Sequence, residues 1–153
     1  MNDTGQLSPV AFAAASADDA EQLAQLRVEA MRPSLEAAGR FDEDRARARF
    51  LDGFEPSATR LILRDDELIG FFVMRYRPDH VLIEHLYVVE AEQGHGVGAG
   101  IVGYVMSRAR GRKLPVRVSA LTGSRANNFY LKQGFEVVGR EEFDTLYESA
   151  AGA

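Results

Sequence analysis

Residues 88–100 read Val88-Val89-Glu90-Ala91-Glu92-Gln93-Gly94-His95-Gly96-Val97-Gly98-Ala99-Gly100. A β-rich run ends at Val89, a few polar residues turn, and glycines at 94, 96, 98 and 100 alternate into an apolar stripe. Val97, Ile101, Tyr104, Val105 and Ala109 recur at helical spacing, so a helix is expected from about Gly96 to Arg110. Glycines at such a junction let a ligand approach the backbone closely. The first amides of a helix lack internal partners and favour an anion. The physical expectation is a phosphate or pyrophosphate site at this turn.

Working outward, Val81 to Val89 is the last of three β-rich runs, after Leu61 to Leu63 and Leu68 to Met74. Arg64-Asp65-Asp66 and Arg77-Pro78-Asp79 separate them, and such short links predict an antiparallel meander. Upstream, Val10 to Ala15 suggests an opening strand. Ser16 followed by Ala17-Asp18-Asp19 reads as a helix start, with carboxylates where the dipole favours them. That helix, with Leu23, Leu26, Ala30 and Met31 as its stripe, is expected to stop at Pro33. A second helix is expected over about Asp42 to Phe54. Downstream come a strand at Val116 to Leu121, a short helix at Ser124 to Gln133 ended by Gly134, and strands at Phe135 to Val138 and Thr145 to Glu148. The order is β-α-α-β-β-β-α-β-α-β-β, a mixed α/β domain with parallel pairing across the strand–helix–strand unit.

Composition narrows the function. The 153 residues are 46% hydrophobic and 27% charged, ordinary values for one globular domain over residues 1–153. Residues 1–8 and 149–153 are expected to be flexible ends. With no cysteine there is no disulfide, thiolate metal site or cysteine nucleophile. His80, His85 and His95 form no metal-ligand spacing. A net charge of −5 argues against a nucleic-acid surface, and no apolar run reaches the roughly 18 residues of a membrane span. The amino-terminal residues do not resemble a signal peptide, which leads to the expectation of a cytoplasmic protein.

Three phosphate-loop templates compete for the glycine turn. A P-loop requires a lysine after its glycines, and none follows. A dinucleotide fingerprint is formally met by Gly94, Gly96 and Ala99, but the next strand ends Val118-Ser119-Ala120-Leu121 without an acid for a ribose. The template Gln/Arg-x-x-Gly-x-Gly/Ala is met by Gln93, Gly96 and Gly98. Here the sequence resembles the GNAT family of N-acetyltransferases, which places this motif after a central strand to hold the pyrophosphate of acetyl-CoA. Ala126, Tyr130, Gly134 and Phe135 fall at the spacings of a second family motif, with Gly123 where the family has Asn. The resemblance covers about residues 9 to 148. It implies a GNAT-like mixed central sheet of six to seven strands flanked by about four helices, and acetyl-CoA as cosubstrate with no metal.

The resemblance also implies site roles. Leu86, Tyr87 and Val88 would offer backbone groups to the pantetheine arm and to the thioester oxygen. Gln93, Gly94, His95, Gly96, Val97, Gly98 and Ala99 would surround the pyrophosphate. Ser124 or Asn128 would replace the hydrogen bond lost at Gly123. Tyr130 would be the general acid that protonates the departing thiolate, although Ala126, Phe129 and Tyr130 also make a packing stripe. Glu84 would take the amine's proton, directly or through water; the competing reading is a strand carboxylate paired with an arginine. His85 points to the opposite face of a regular strand, and a bulge would change that parity. Val118 occupies the place where some similar proteins carry a carboxylate. Arg32, Arg40 and Phe41 fall in the region that lines the acceptor pocket in similar proteins.

The resulting expectation is direct acetyl transfer to a primary amine of a small molecule or peptide. The alternative is a non-catalytic acyl-CoA-binding sensor or partner domain. Dimerisation is common among the proteins the sequence resembles, so a homodimer belongs to what the resemblance implies.

Overall fold

A computed structural model describes residues 9–149. The expected flexible ends, 1–8 and 150–153, lie outside the described residues. Ser149, expected to begin the flexible tail, is instead buried. Its amide donates to Val116 O and its hydroxyl accepts from Val116 N, both at 2.8 Å, which fixes the last strand to its neighbour.

The strands are β1 (Val10–Ala14), β2 (Thr59–Arg64), β3 (Glu67–Tyr76), β4 (Val81–Val88), β5 (Val116–Leu121), β6 (Glu136–Arg140) and β7 (Asp144–Glu148). The helices are α1 (Ala20–Ala37), α2 (Glu43–Gly53), α3 (Val97–Gly111) and α4 (Arg125–Lys132). One seven-stranded sheet has the order β1-β2-β3-β4-β5-β7-β6. The meander β2-β3-β4 is antiparallel as expected, and β4–β5, joined through α3, is the parallel pair. Element order, strand pairing and helix number therefore agree with the sequence reading.

Each sheet face carries one helical layer. Ile101 and Val105 of α3 and Tyr130 of α4 pack with Ile62, Phe72, Ile83 and Val118. On the other face, Leu23 and Ala24 of α1 and Phe50 of α2 pack with Phe71 and Val73. Burying a side chain of this size contributes about 1.5–3 kcal/mol, so both layers hold firmly to the sheet. At Gly70 a Cβ would come 2.3 Å from Tyr87 O, so only glycine allows β3 to run this close to β4.

The expected stop at Pro33 is wrong: α1 passes through the proline to Ala37. Proline inside a helix removes one backbone bond and costs about 3 kcal/mol. Arg32 spans the break, pairing with Glu36 one turn on and with Glu43 of α2. The extra turn brings Leu35 into the lining of the central cleft. Asp42 caps α2 as its position suggests, accepting from Arg45 N at 3.0 Å.

Candidate active site

The site begins where the sheet opens. β4 and β5 pair only between Val81–Ile83 and Val116–Val118, and past these positions the two strands are not bonded. A cleft of about 390 Å³ occupies the opening, lined by α1 and α2 on one face and α4 on the other. It passes through the sheet. Residues 84–87 of β4 form one wall and Ser119 to Leu121 of β5 the other.

Backbone direction on β4 follows from its pairing with β3. Val89 N donates to Ile69 O at 2.9 Å, so the residues bonded to β3 are Val89 and, two back, Tyr87. Alternation turns the amides and carbonyls of Leu86 and Val88 toward the opening. Leu86 thus presents the backbone groups expected of it. Val88 O is occupied, because Gln93 Nε2 donates to it at 2.9 Å. Tyr87 corrects the expectation: its backbone belongs to the β3 ladder, and its ring reaches the cleft.

The glycine turn lies just past the end of β4, outside the cleft lining. Gly94 and Gly96 both have φ of +83°, conformations that side chains resist, and a Cβ on either would meet nothing within 4 Å. Gly96 caps α3 in a left-handed conformation. The first helical bond runs from Gly100 N to Gly96 O at 2.9 Å, leaving the amides of Val97, Gly98 and Ala99 ahead of it. An open surface over unused amides at a helix start fits an anion. Gln93 closes the turn onto β4 rather than standing free, and His95 is exposed. The side chain of Val97 is buried in the core, so only its amide serves the turn. Gly98 has a packing role as well: a Cβ there would come 3.1 Å from Phe129 Cζ of α4.

Tyr130 is both a core residue and a residue of the cleft lining. Its ring packs against Phe129, Phe135 and Tyr147, and the residue lines the cleft. Burial raises its phenol above the ordinary value, with a smaller contribution from nearby Tyr87, so the hydroxyl stays protonated at neutral pH. Among the described residues that hydroxyl has no hydrogen-bond partner. Ser124 lines the cleft at the start of α4. Asn128, its expected companion, is exposed and stands outside the lining. Asn127 was missed by the sequence reading and orders this helix start. Its Nδ2 donates to Leu121 O and Ser124 O at 2.9 Å, while Tyr147 Oη donates to its Oδ1 at 2.6 Å. The readable signal was a serine cap followed three residues later by an amide.

At Glu84 the strand bulges. Val73 pairs with His85 and Met74 with Ile83, so Glu84 has no partner on β3. The extra residue places Glu84 and His85 on the same side, with His85 Nε2 at 3.8 Å from Glu84 Oε1. Glu84 is also the arginine-paired carboxylate of the competing reading: Arg75 Nε and Nη2 both reach its Oε1, at 3.1 and 3.0 Å. Its Oε2 has no partner among the described residues. His85 sits against Phe50, Phe71 and Tyr87. Burial, aided by the charges of Arg27 and Arg75 and opposed by Glu84, pushes its imidazole down to about 4. It is neutral at physiological pH.

Of the three residues expected near an acceptor, only Arg40 lines the cleft, with its guanidinium over the Phe143 ring at 3.3 Å. Arg32 stacks on Phe41 at 4.4 Å and pairs with Glu36 and Glu43. The cleft holds three arginines that the sequence reading did not single out, Arg27, Arg45 and Arg49. Arg45 and Arg49 stand four apart on α2, a spacing that puts both on one helical face.

Comparison with known proteins agrees with this geometry. The acetyltransferase (GNAT) family model matches residues 20–135. The chain belongs to this family and is an acyltransferase. Among solved structures, the PaiA N-acetyltransferase of Thermoplasma acidophilum, in complex with coenzyme A, superposes with a TM-score of 0.75 at 16% identity, covering 92% of this chain and 98% of that one. Arabidopsis thaliana Naa50, in complex with the bisubstrate analogue CoA-Ac-MVNAL, gives 0.63 at 18% identity, covering 92% and 98%. The N-acetylglutamate synthase of Neisseria gonorrhoeae, complexed with coenzyme A and N-acetyl-glutamate, gives 0.64 at 16% identity, covering 94% of this chain and 35% of that one. No curated protein matches the sequence.

Proposed function

We propose that this acyltransferase moves an acetyl group from acetyl-CoA directly to a primary amine of a small molecule or peptide. The observation that carries the proposal is the opening between β4 and β5, which leads from the face of α4 to the face of α1 and α2. Two reactants can enter it from opposite sides and meet at the strand edge. The PaiA complex with coenzyme A and the Naa50 complex with a bisubstrate analogue support acetyl-CoA as the cosubstrate.

Acetyl-CoA supplies a thioester whose carbonyl is open to attack by an amine. The amides of Val97, Gly98 and Ala99 and the glycines around them would hold its pyrophosphate. The Leu86 amide, turned into the opening, would donate to the thioester oxygen as negative charge develops there. A preorganised donor of this kind is worth roughly 10²–10³ in rate. Tyr130, protonated and without another partner, would donate to the departing sulfur. The second oxygen of Glu84 would receive the amine's proton, directly or through a water, while Arg75 holds the first. Neutral His85 beside it is a second acceptor in reach.

The sequence has no cysteine to carry an acetyl group, which supports attack by the amine itself. Free-thiol release on mixing acetyl-CoA with a panel of amines tests the proposal. Turnover should require an acceptor, and the intact protein should keep its unmodified mass when acetyl-CoA is added alone. A stoichiometric acetyl-protein that an amine then discharges would overturn direct transfer.

A further inference from the structure

The charges lining the cleft are unlike those of the whole protein. The chain carries −5, yet the lining has four arginines, at 27, 40, 45 and 49, against three carboxylates, Asp42, Glu84 and Asp144. Two of those carboxylates are already engaged. Asp42 caps α2, and Glu84 is bound by Arg75, which is outside the lining.

The arginines, by contrast, have no anion. Arg27 donates from Nη1 to Ala46 O at 3.1 Å, and its buried Nε has no hydrogen-bond partner. Its charge is felt by the buried imidazole of His85 and the phenol of Tyr87. Arg40 is stacked on Phe143. Arg45 and Arg49 make no ion pair among the described residues. Arg47, between them on α2, turns away from the cleft and pairs with Glu21 of α1. On the same helix the half-buried Arg47 is neutralised by α1, while the two exposed arginines that line the cleft are left unpaired. Arg27, half-buried and without an anion, carries a desolvation cost that an incoming anion relieves, and the exposed Arg45 and Arg49 add positive charge at the same wall.

Resting on the acetyl-transfer reading above, we infer that the acceptor is a small amine bearing a carboxylate, held by Arg27, Arg45 and Arg49. Guanidinium forks match a carboxylate in bidentate geometry. The excess of one positive charge in the lining suits a monoanion better than a phosphate dianion. The anion would rest on the α1–α2 wall, leaving the amine to reach Glu84 and the opening on β4. Polyamines are disfavoured, because they would bring further cations to a cationic wall.

The test compares L-amino acids with their α-amides, together with spermidine and phosphoethanolamine, in the free-thiol assay. At least one acid should exceed its own amide by tenfold or more in kcat/KM. In an R45Q/R49Q double variant that ratio should fall about tenfold while the thermal midpoint is kept. Both residues are exposed, so the variant is expected to fold. Equal rates for acids and amides, a preference for spermidine or phosphoethanolamine, or a ratio unmoved in the variant would each overturn the inference. So would failure to turn over any acid by a protein that binds acetyl-CoA, and the acetyl-transfer reading would survive that result. Failure to bind acetyl-CoA would remove both.

Discussion

The glycine turn and the cleft lie at the end and on the flank of the same strand, but they are built from different materials. At the turn, the groups open to an anion are backbone amides, and the conformation exposing them is set by glycines at φ of +83°. In the cleft, apart from the Leu86 amide, the groups that the proposal uses are side chains drawn from α1, α2, β4 and α4. Backbone chemistry is common to every residue, so the turn can serve a cosubstrate shared across a family. A wall of side chains can be rewritten one residue at a time, which suits it to the acceptor that distinguishes one member from another.

The two regions should therefore break differently. The largest effect is expected at Tyr130, the proposed general acid: Tyr130→Phe should lower kcat by about 10²–10⁴ with little change in acetyl-CoA affinity. An unchanged rate removes the phenol from the mechanism and leaves it a core residue.

Next comes the buried imidazole. His85 has a pKa of about 4 in the fold, below the ordinary 6.5 it would regain on unfolding. Between those values the unfolded chain binds a proton that the folded chain refuses, so this group makes stability fall as pH drops from about 6.5 toward 4. The full loss is about 3 kcal/mol. Urea midpoints should fall less steeply with acidification in His85→Leu than in the native protein. Parallel slopes would show that the imidazole is solvated.

A smaller effect is expected at the bulge. Glu84→Gln keeps the shape but loses the proton acceptor, and kcat should drop about tenfold with a shifted pH–rate profile, His85 taking part of the role. An identical profile would make Glu84 only the partner of Arg75. The smallest concerns the turn before α4. Gly123 has φ of +87°, a conformation asparagine tolerates better than most residues. Gly123→Asn should tighten acetyl-CoA binding by no more than about fivefold, the value of one hydrogen bond of about 1 kcal/mol. A weaker complex would mean that the asparagine side chain finds no cosubstrate group.

The same contrast explains what could be read from the sequence. Glycines at 94, 96 and 98 after an apolar run announce a strand, a turn and a helix, because spacing and conformational freedom are local properties. The cleft arginines are distant from Tyr130 and Asp144 in sequence and meet only through the sheet order, so no local pattern marks them. Periodicity could not locate the bulge at Glu84, since neither glycine nor proline stands there; its cause is a shift in the pairing of β3 with β4. Pro33 misled for the opposite reason. Its local preference is to end a helix, yet α1 continues to Ala37, with Arg32 pairing to Glu36 and Glu43 beside the proline. At Tyr130 core packing does not preclude a place in the cleft lining, so the packing stripe read in the sequence does not decide against a site residue.

The central claim is that the start of α3 holds the pyrophosphate of acetyl-CoA. Calorimetric titration with acetyl-CoA, of the native protein and of Gly96→Glu, tests it most directly. A glutamate there would impose a side chain at φ of +83° and a negative charge over the open amides. The account predicts micromolar binding to the native protein, abolished in a variant that still unfolds cooperatively. Equal affinity in the two proteins, or no binding to the native one, would contradict it.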